Sequence, residues 1–197
     1  MFRLVLIAAL LYGAWTGIDG LLVNVSAMGG PDEVAIADIE ANTADVGRWV
    51  RVTGGTAHPS VARVSEGSST TAYLVAFISP ERYWTTYDER GDLLPDDERL
   101  GDGGAAVVAR LKPGYDIDAI VAEDTYLVQG VTTLGVDSDI RSYFSERNVP
   151  LANHAILVEL DRAPRPVLAN LGIVAGTALG LLLIVGSFFA GKEEEAA

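Results

Sequence analysis

The sequence predicts a membrane-anchored α+β protein, in which two transmembrane helices flank a β-rich extramembrane domain. The first observation is a run of 24 residues without a charge, Val167 to Ala190, since about 20 apolar residues cross the hydrocarbon core of a bilayer. The second is another apolar run within residues 1–28. The third is the stretch between them, where short β-branched segments alternate with turns rich in Gly, Pro and Asp, a pattern typical of a sheet.

The composition is that of an acidic chain without cysteine. Its 197 residues carry 14 Lys or Arg and 27 Asp or Glu, a net charge of −13, and residues 31–165 hold 12 of these bases and 23 of these acids, a net of −11. Nucleic acid is therefore not expected as a partner, and anionic lipid headgroups should be repelled. The acidity either keeps the domain soluble or matches a basic partner surface. Disulfides, thiolate metal sites and cysteine nucleophiles are excluded.

Residues 1–28 have two interpretations. They form either a cleaved signal peptide, with Val25-Ser26-Ala27 as the cleavage site, or a retained signal-anchor helix over Leu4–Val25. The apolar core ends at Ile18, nine residues before the candidate cleavage site, and this distance favours the retained helix.

Glycines with a spacing of four residues occur in both apolar runs. The second run contains Gly172, Gly176 and Gly180, and the first contains Gly13 and Gly17. Small residues at this spacing let two membrane helices approach closely, although glycine is also simply tolerated in such helices. We expect these glycines to pack helices, either within the chain or against another subunit.

Each apolar run also contains a polar residue near its domain side. Asp19 lies about sixteen residues, or roughly 24 Å, into the first helix, and Asn170 lies about one turn into the second. We therefore expect the two residues at one membrane level. Intramembrane polar groups are candidates for function, here a contact between these two residues or with another subunit.

The flanking charges predict the orientation. Arg3 and Lys192 favour a cytoplasmic location for both termini, whereas Arg162 and Arg165 oppose it. A domain of about 135 residues can be translocated regardless of its charge. With a composition poor in Lys and typical of GC-rich bacteria, we expect the bacterial inner membrane, with both termini cytoplasmic, the domain on the periplasmic or extracellular side, and residues 191–197 as a short acidic tail.

The domain is predicted over residues 29–165, before a C-terminal helix over residues 166–190. A turn at Gly29–Asp32 opens it, and alternation or continuous apolar runs predict six strands. These strands cover residues 48–54, 59–66, 70–79, 105–111, 125–134 and 154–160. Short helices are predicted from Asp38, Pro80, Ile117 and Ser138, a long loop over 90–104, and a bulge or bend at Gly130. An OB-like small barrel fits this order, and an open α+β sandwich is the alternative.

Residue types with catalytic or metal-binding chemistry are few. The histidines, His58 and His154, have no spacing that argues for a metal site, and no serine lies in a nucleophile-elbow motif. The acidic loop is either a calcium site or solvated, and its spacing does not match an EF-hand. Its members are Asp88, Glu89, Asp92, Asp96, Asp97, Glu98 and Asp102. No nucleotide-binding motif is present, so neither a metal nor another cofactor is expected.

An aromatic group precedes this loop. Tyr83, Trp84 and Tyr87 lie within five residues. Such a group either closes a core or, when exposed, forms a contact for a partner protein.

These features favour a non-catalytic accessory or assembly subunit of a larger membrane protein complex, docking through glycine-faced helices and an acidic β-rich domain. One alternative is self-association through the glycine face. The other is a membrane-tethered ligand-binding or hydrolytic enzyme of the cell envelope, and the sequence names no substrate for it.

Overall fold

The computed structural model describes residues 2–95, 104–123, 125–133 and 135–193, with side chains from residue 4 to residue 186. It is a mixed α+β structure in two compact units, a pair of long helices and the domain Gly29–Ala163. The elements in chain order are α1 (Phe2–Ser26), β1 (Asp32–Ala35), α2 (Ile36–Glu40), β2 (Trp49–Ala57), β3 (Ala62–Glu66), β4 (Ser69–Ile78), α3 (Pro80–Trp84), β5 (Ala105–Leu111), α4 (Ile117–Ala122), β6 (Tyr126–Thr133), α5 (Ser138–Ser145), β7 (Leu151–Leu160) and α6 (Val167–Glu193).

The helical unit consists of α1 and α6. The segments Leu4–Ser26 and Val167–Gly186 are long and apolar enough to cross a membrane. Pro166 marks the start of α6, because its carbonyl accepts hydrogen bonds from the backbone N–H groups of Ala169 and Asn170. Proline fixes the backbone angle φ near its helical value and lacks an N–H group, so it suits a helix start.

The domain is built on a seven-stranded sheet with the strand order β1-β2-β6-β7-β5-β4-β3. β2 also pairs with β4, through Thr56–Ile78 and Ala57–Phe77. The pairings β2-β6-β7-β5-β4 therefore return to their start and form a closed ring, to which β1 and β3 add at β2 and β4. Within the ring, β5 and β7 are parallel and the other pairs are antiparallel.

Both faces of β4 are buried over Leu74–Ile78, where its sequence is continuously apolar. Val75 and Phe77 belong to a core cluster that includes residues of α2 and α4. The alternate residues Ala76 and Ile78 belong to a second cluster, which includes Phe144 of α5. Successive side chains of a strand point to opposite faces, so the two clusters lie on opposite sides of β4.

Arg141 connects α5 to β7 and to the segment before α5 through hydrogen bonds. Its guanidinium group donates hydrogen bonds to the carbonyls of Val136, Ala152 and Asn153 at 3.1, 2.9 and 3.0 Å. A planar group with five donors can serve several carbonyls at once. This helix therefore has a polar attachment in addition to its apolar contacts.

Gly130 is not the site of a bulge, which was one of the two alternatives predicted for it. The pairing runs regularly through this residue, which pairs with Val50 and with Leu160, and the register shift lies in β2 between Val52 and Gly55. A Cβ atom at position 130 would lie 2.0 Å from the carbonyl oxygen of Glu159. Glycine is required here because the backbone of β7 passes too close for any side chain.

Candidate functional site

Glycines of α1 let α6 approach closely. A Cβ atom at Gly13 would lie 2.7 Å from Cγ2 of Thr177, and one at Gly17 would lie 2.8 Å from Cγ2 of Val174. These distances are shorter than real Cβ contacts. The two helices therefore pack at these levels only because α1 has no side chain there.

The three spaced glycines of α6 do not share one environment. A Cβ atom at Gly180 would lie 2.9 Å from Cδ2 of Leu10, whereas such an atom at Gly172 or Gly176 would have no described residue of another element within 4 Å. Each step of four residues advances a position by about 40° around a helix, so Gly180 is rotated by about 80° from Gly172. Consequently Gly180 faces α1, and Gly172 and Gly176 leave a small-residue groove open, here called the outer groove.

Asn170 lies in the interface between α1 and α6. Its side chain is fully buried, and a Cβ atom at Gly20 would lie 2.4 Å from its Oδ1 atom. Within the described part of the chain, neither its Oδ1 nor its Nδ2 has a hydrogen-bond partner. Asp19 is half-buried and directly precedes Gly20, so both polar residues predicted from the sequence lie at one level of the helix pair.

The aromatic group of the domain is mostly interior. Tyr83 and Tyr87 are 4% and 1% exposed and surround His58, with ring centroids 5.9 and 4.7 Å from its imidazole. Burial, and then the Asp88 carboxylate, raise the pKa of Tyr83. Trp84 alone is open, at 53% exposure. Of the three aromatic residues considered for a partner contact, only Trp84 is therefore accessible.

His58 is a buried, neutral hydrogen-bonding residue. Its Nδ1 accepts the backbone N–H of Ser60 at 3.1 Å, and its Nε2 lies 3.0 Å from the carbonyl oxygen of Gly91. Because a backbone N–H can only donate, Nδ1 is an acceptor and Nε2 carries the proton. Burial lowers the pKa of His58 to about 4, with a partial offset from the Gly91 carbonyl and the Asp92 charge.

The start of the acidic loop is a structured turn. Oδ1 of Asp88 accepts the backbone N–H groups of Arg90 and Asp92 at 2.8 and 2.9 Å. Asp96, Asp97, Glu98 and Asp102 lie outside the described residues. Over the part of the chain that is described, no group of three or more His, Cys, Asp or Glu side chains is arranged to hold a metal ion.

Two concave surfaces of the domain were not predicted from the sequence. A cavity of about 380 Å³ lies between the strands β3, β4 and β5 and the helix α5, and four charged side chains line it, namely Arg63, Arg110, Asp137 and Asp139. A second cavity, of about 200 Å³, lies beside Trp84 and is lined by Glu89 and Glu123. The charged residues of each cavity come from more than one element, so no local sequence motif predicts either cavity.

No family model, no curated protein and no solved structure matches the chain. Function is therefore inferred from the geometry of this chain alone.

Proposed function

We propose that the chain is a non-catalytic accessory or assembly subunit of a larger membrane protein complex. The observation that supports this proposal is the outer groove of α6. A Cβ atom at Gly13, Gly17 or Gly180 would press against the opposite helix, while one at Gly172 or Gly176 would meet no described residue of another element within 4 Å. Internal packing thus leaves two of the spaced glycines available, and a transmembrane helix of another subunit is the occupant that fits such a groove.

In this proposal α1 and α6 cross the bacterial inner membrane as a pair of antiparallel helices. Both termini are cytoplasmic, and the acidic domain is on the periplasmic or extracellular side. The lengths and composition of the two apolar helices support a crossing, and Arg3 and Lys192 support the orientation.

We infer further that the domain is an OB-like small barrel. The support is its closed ring of five strands, β2-β6-β7-β5-β4, in which a parallel β5–β7 pair interrupts the antiparallel order. α4 lies between the third and fourth ring strands along the chain. A five-stranded Greek-key barrel of this kind is the OB arrangement.

Replacement of Gly176 by Leu tests the role of the outer groove. The native host membrane is extracted in a mild detergent, and native gels with mass spectrometry identify what travels with the chain. The bulky side chain should fill the groove and abolish co-migration with the complex. Gly186→Leu is the matched control, because a Cβ atom there would also meet no described residue within 4 Å and the position lies about 15 Å further along α6 and about 80° around it from Gly176. Co-migration that survives Gly176→Leu contradicts the proposal, as does a wild-type chain that is monomeric at every detergent strength.

Self-association through the same groove predicts a different result in that experiment. Two copies with different tags, expressed together, would then co-purify with each other and with no other protein. Gly176→Leu would still abolish this co-purification, since the same glycine face is used. The identity of the co-purifying chain thus separates a homo-oligomer from an accessory subunit.

The cavity between α5 and the strands β3, β4 and β5 favours ligand binding as a second candidate function. Its volume of about 380 Å³ falls within the 300–1,000 Å³ typical of small-molecule sites. Its apolar residues include Val64 and Leu74, and its charged residues have both signs, which suits a zwitterionic ligand. Screening of amino acids and short peptides by thermal shift, with Arg110→Gln as the variant, tests this alternative. A screen without any shift in the wild type argues against it.

A further inference from the structure

The cavity beside Trp84 has an aromatic wall and an acidic rim. It lies between the residues around α3 and the end of α4. Tyr83 and Trp84 form one wall, Ala57 and Val121 contribute apolar surface, and Glu89 and Glu123 contribute carboxylates. The two carboxylates come from different elements, so the concavity exists only in the folded domain.

The Trp84 side chain is held in place although it is exposed. Its ring stands edge-on to that of Tyr83, with centroids 4.9 Å apart and an interplanar angle of 78°. Tyr83 is itself buried against His58. Among the large apolar side chains described in the domain, only Trp84 and Leu127 are exposed. The face of an indole ring attracts cations more strongly than that of any other aromatic side chain.

The charge of this cavity is negative. None of the described residues that line it is Lys or Arg, and neither Glu89 nor Glu123 forms an ion pair with any described residue. The whole segment 31–165 has a net charge of −11. An anionic ligand is therefore disfavoured there, and a cation gains from both carboxylates and from the aromatic wall.

We propose that this cavity binds a quaternary ammonium group, a cation whose recognition relies on aromatic faces. The volume of about 200 Å³ is smaller than the 300–1,000 Å³ of sites for whole drug-sized ligands, so one head group is the matching size. Such a head group is carried by choline, either free or as part of a lipid. Binding of a small cation is measured on the isolated chain, so its outcome is independent of helix docking.

Ligand-detected NMR on the full chain in dodecyl maltoside, an uncharged detergent, tests the proposal. Choline should bind, and 3,3-dimethylbutan-1-ol, its neutral isostere, should not. A cation–π contact corresponds to about a 2- to 30-fold change in affinity, so Trp84→Ala should weaken choline binding within that range. The pair Glu89→Gln and Glu123→Gln should weaken it as well. Leu127→Ala is the control, because it removes the other exposed apolar side chain and should leave binding unchanged.

Two further probes distinguish the sources of the cation. Preferential binding of glycerophosphocholine over free choline indicates a lipid headgroup, whereas preferential binding of Nα-acetyl-arginine amide indicates a protein side chain and overturns the assignment. Circular dichroism verifies that each variant is folded. The proposal is overturned when no cation binds, when the neutral isostere binds equally well, or when the folded Trp84 and glutamate variants all retain wild-type affinity.

Discussion

His58 should make the stability of the domain depend on pH between about 4 and 6.5. Its side chain is fully buried, and Nδ1 accepts a hydrogen bond from the backbone N–H of Ser60. A proton added to Nδ1 would face that N–H group and remove the acceptor. The test is therefore to lower the pH and to compare the stability of the wild type with that of His58→Gln, whose side chain does not titrate.

The size of the effect follows from the pKa of His58, which burial lowers from 6.5 to about 4. Each pKa unit corresponds to ~1.4 kcal/mol, so protonation of the folded domain costs ~3 kcal/mol more than protonation of the unfolded chain. The unfolded chain takes up this proton at a higher pH than the folded chain. The contribution is therefore fully present above pH 6.5 and is lost as the pH falls toward 4.

Urea unfolding in dodecyl maltoside, followed by near-ultraviolet circular dichroism at a series of pH values, measures this contribution. Between pH 6.5 and 4 the wild type should lose up to ~1.4 kcal/mol per pH unit more than His58→Gln. Carboxylates titrate in both proteins, so their contribution cancels in the difference. NMR of the imidazole protons gives an independent value.

Two results would refute this reasoning. One is a pH dependence of the free energy of unfolding that is the same in the wild type and in His58→Gln. The other is an imidazole resonance of His58 that titrates near 6.5 in the folded protein. Either result would mean that the ring is accessible to water and not held by Ser60 and Gly91.

Three further predictions concern packing. Gly130→Ala should destabilise the domain by ~2–3 kcal/mol in urea unfolding, because its Cβ would overlap the backbone of β7, and a loss below ~0.5 kcal/mol would show that the strand moves away easily. Arg141→Lys should cost ~1–2 kcal/mol, since an ammonium cannot serve all its carbonyls; Arg90→Lys, at an exposed position, is the control, and equal losses would contradict this role. Gly13→Cys with Thr177→Cys should form an intramolecular disulfide on mild oxidation, visible as a gel shift, and two free thiols would disprove this helix contact.

Local sequence predicted the elements better than their arrangement. The charge-free run Val167–Ala190 and the apolar run of β4 each have an interpretation that needs no distant residue. The closed ring of strands could not be predicted from local sequence in this way. β2 pairs with β6 about 80 residues later along the chain, and no periodicity in the sequence indicates that partner. β1 is not among the six predicted strands, and it pairs in parallel with β2, 18 residues later along the chain.

The candidate sites were harder to predict than the elements. The spacing of Gly172, Gly176 and Gly180 is visible in the sequence, but which of them faces α1 depends on the rotation of α6 about its axis. Tyr83 and Trp84 are adjacent, yet one is buried and the other exposed, because α3 is only five residues long and packs one side on the sheet. Glu123, at the end of α4, lines the same cavity as these two residues, and only the fold brings it there.

The ring of strands also determines when the domain can be completed during synthesis. β5 requires its parallel partner β7, and β2 requires β6, so no closed ring exists until the ribosome has passed Leu160. α6 begins shortly after that residue. Until then several strands have unpaired edges, which are sites of aggregation, and pairings between distant residues form slowly, in milliseconds to seconds. The synthesis of the last apolar helix therefore follows closely on the closure of the domain. A chain that stops before β7 leaves exposed the edges of β5 and β6 that β7 covers.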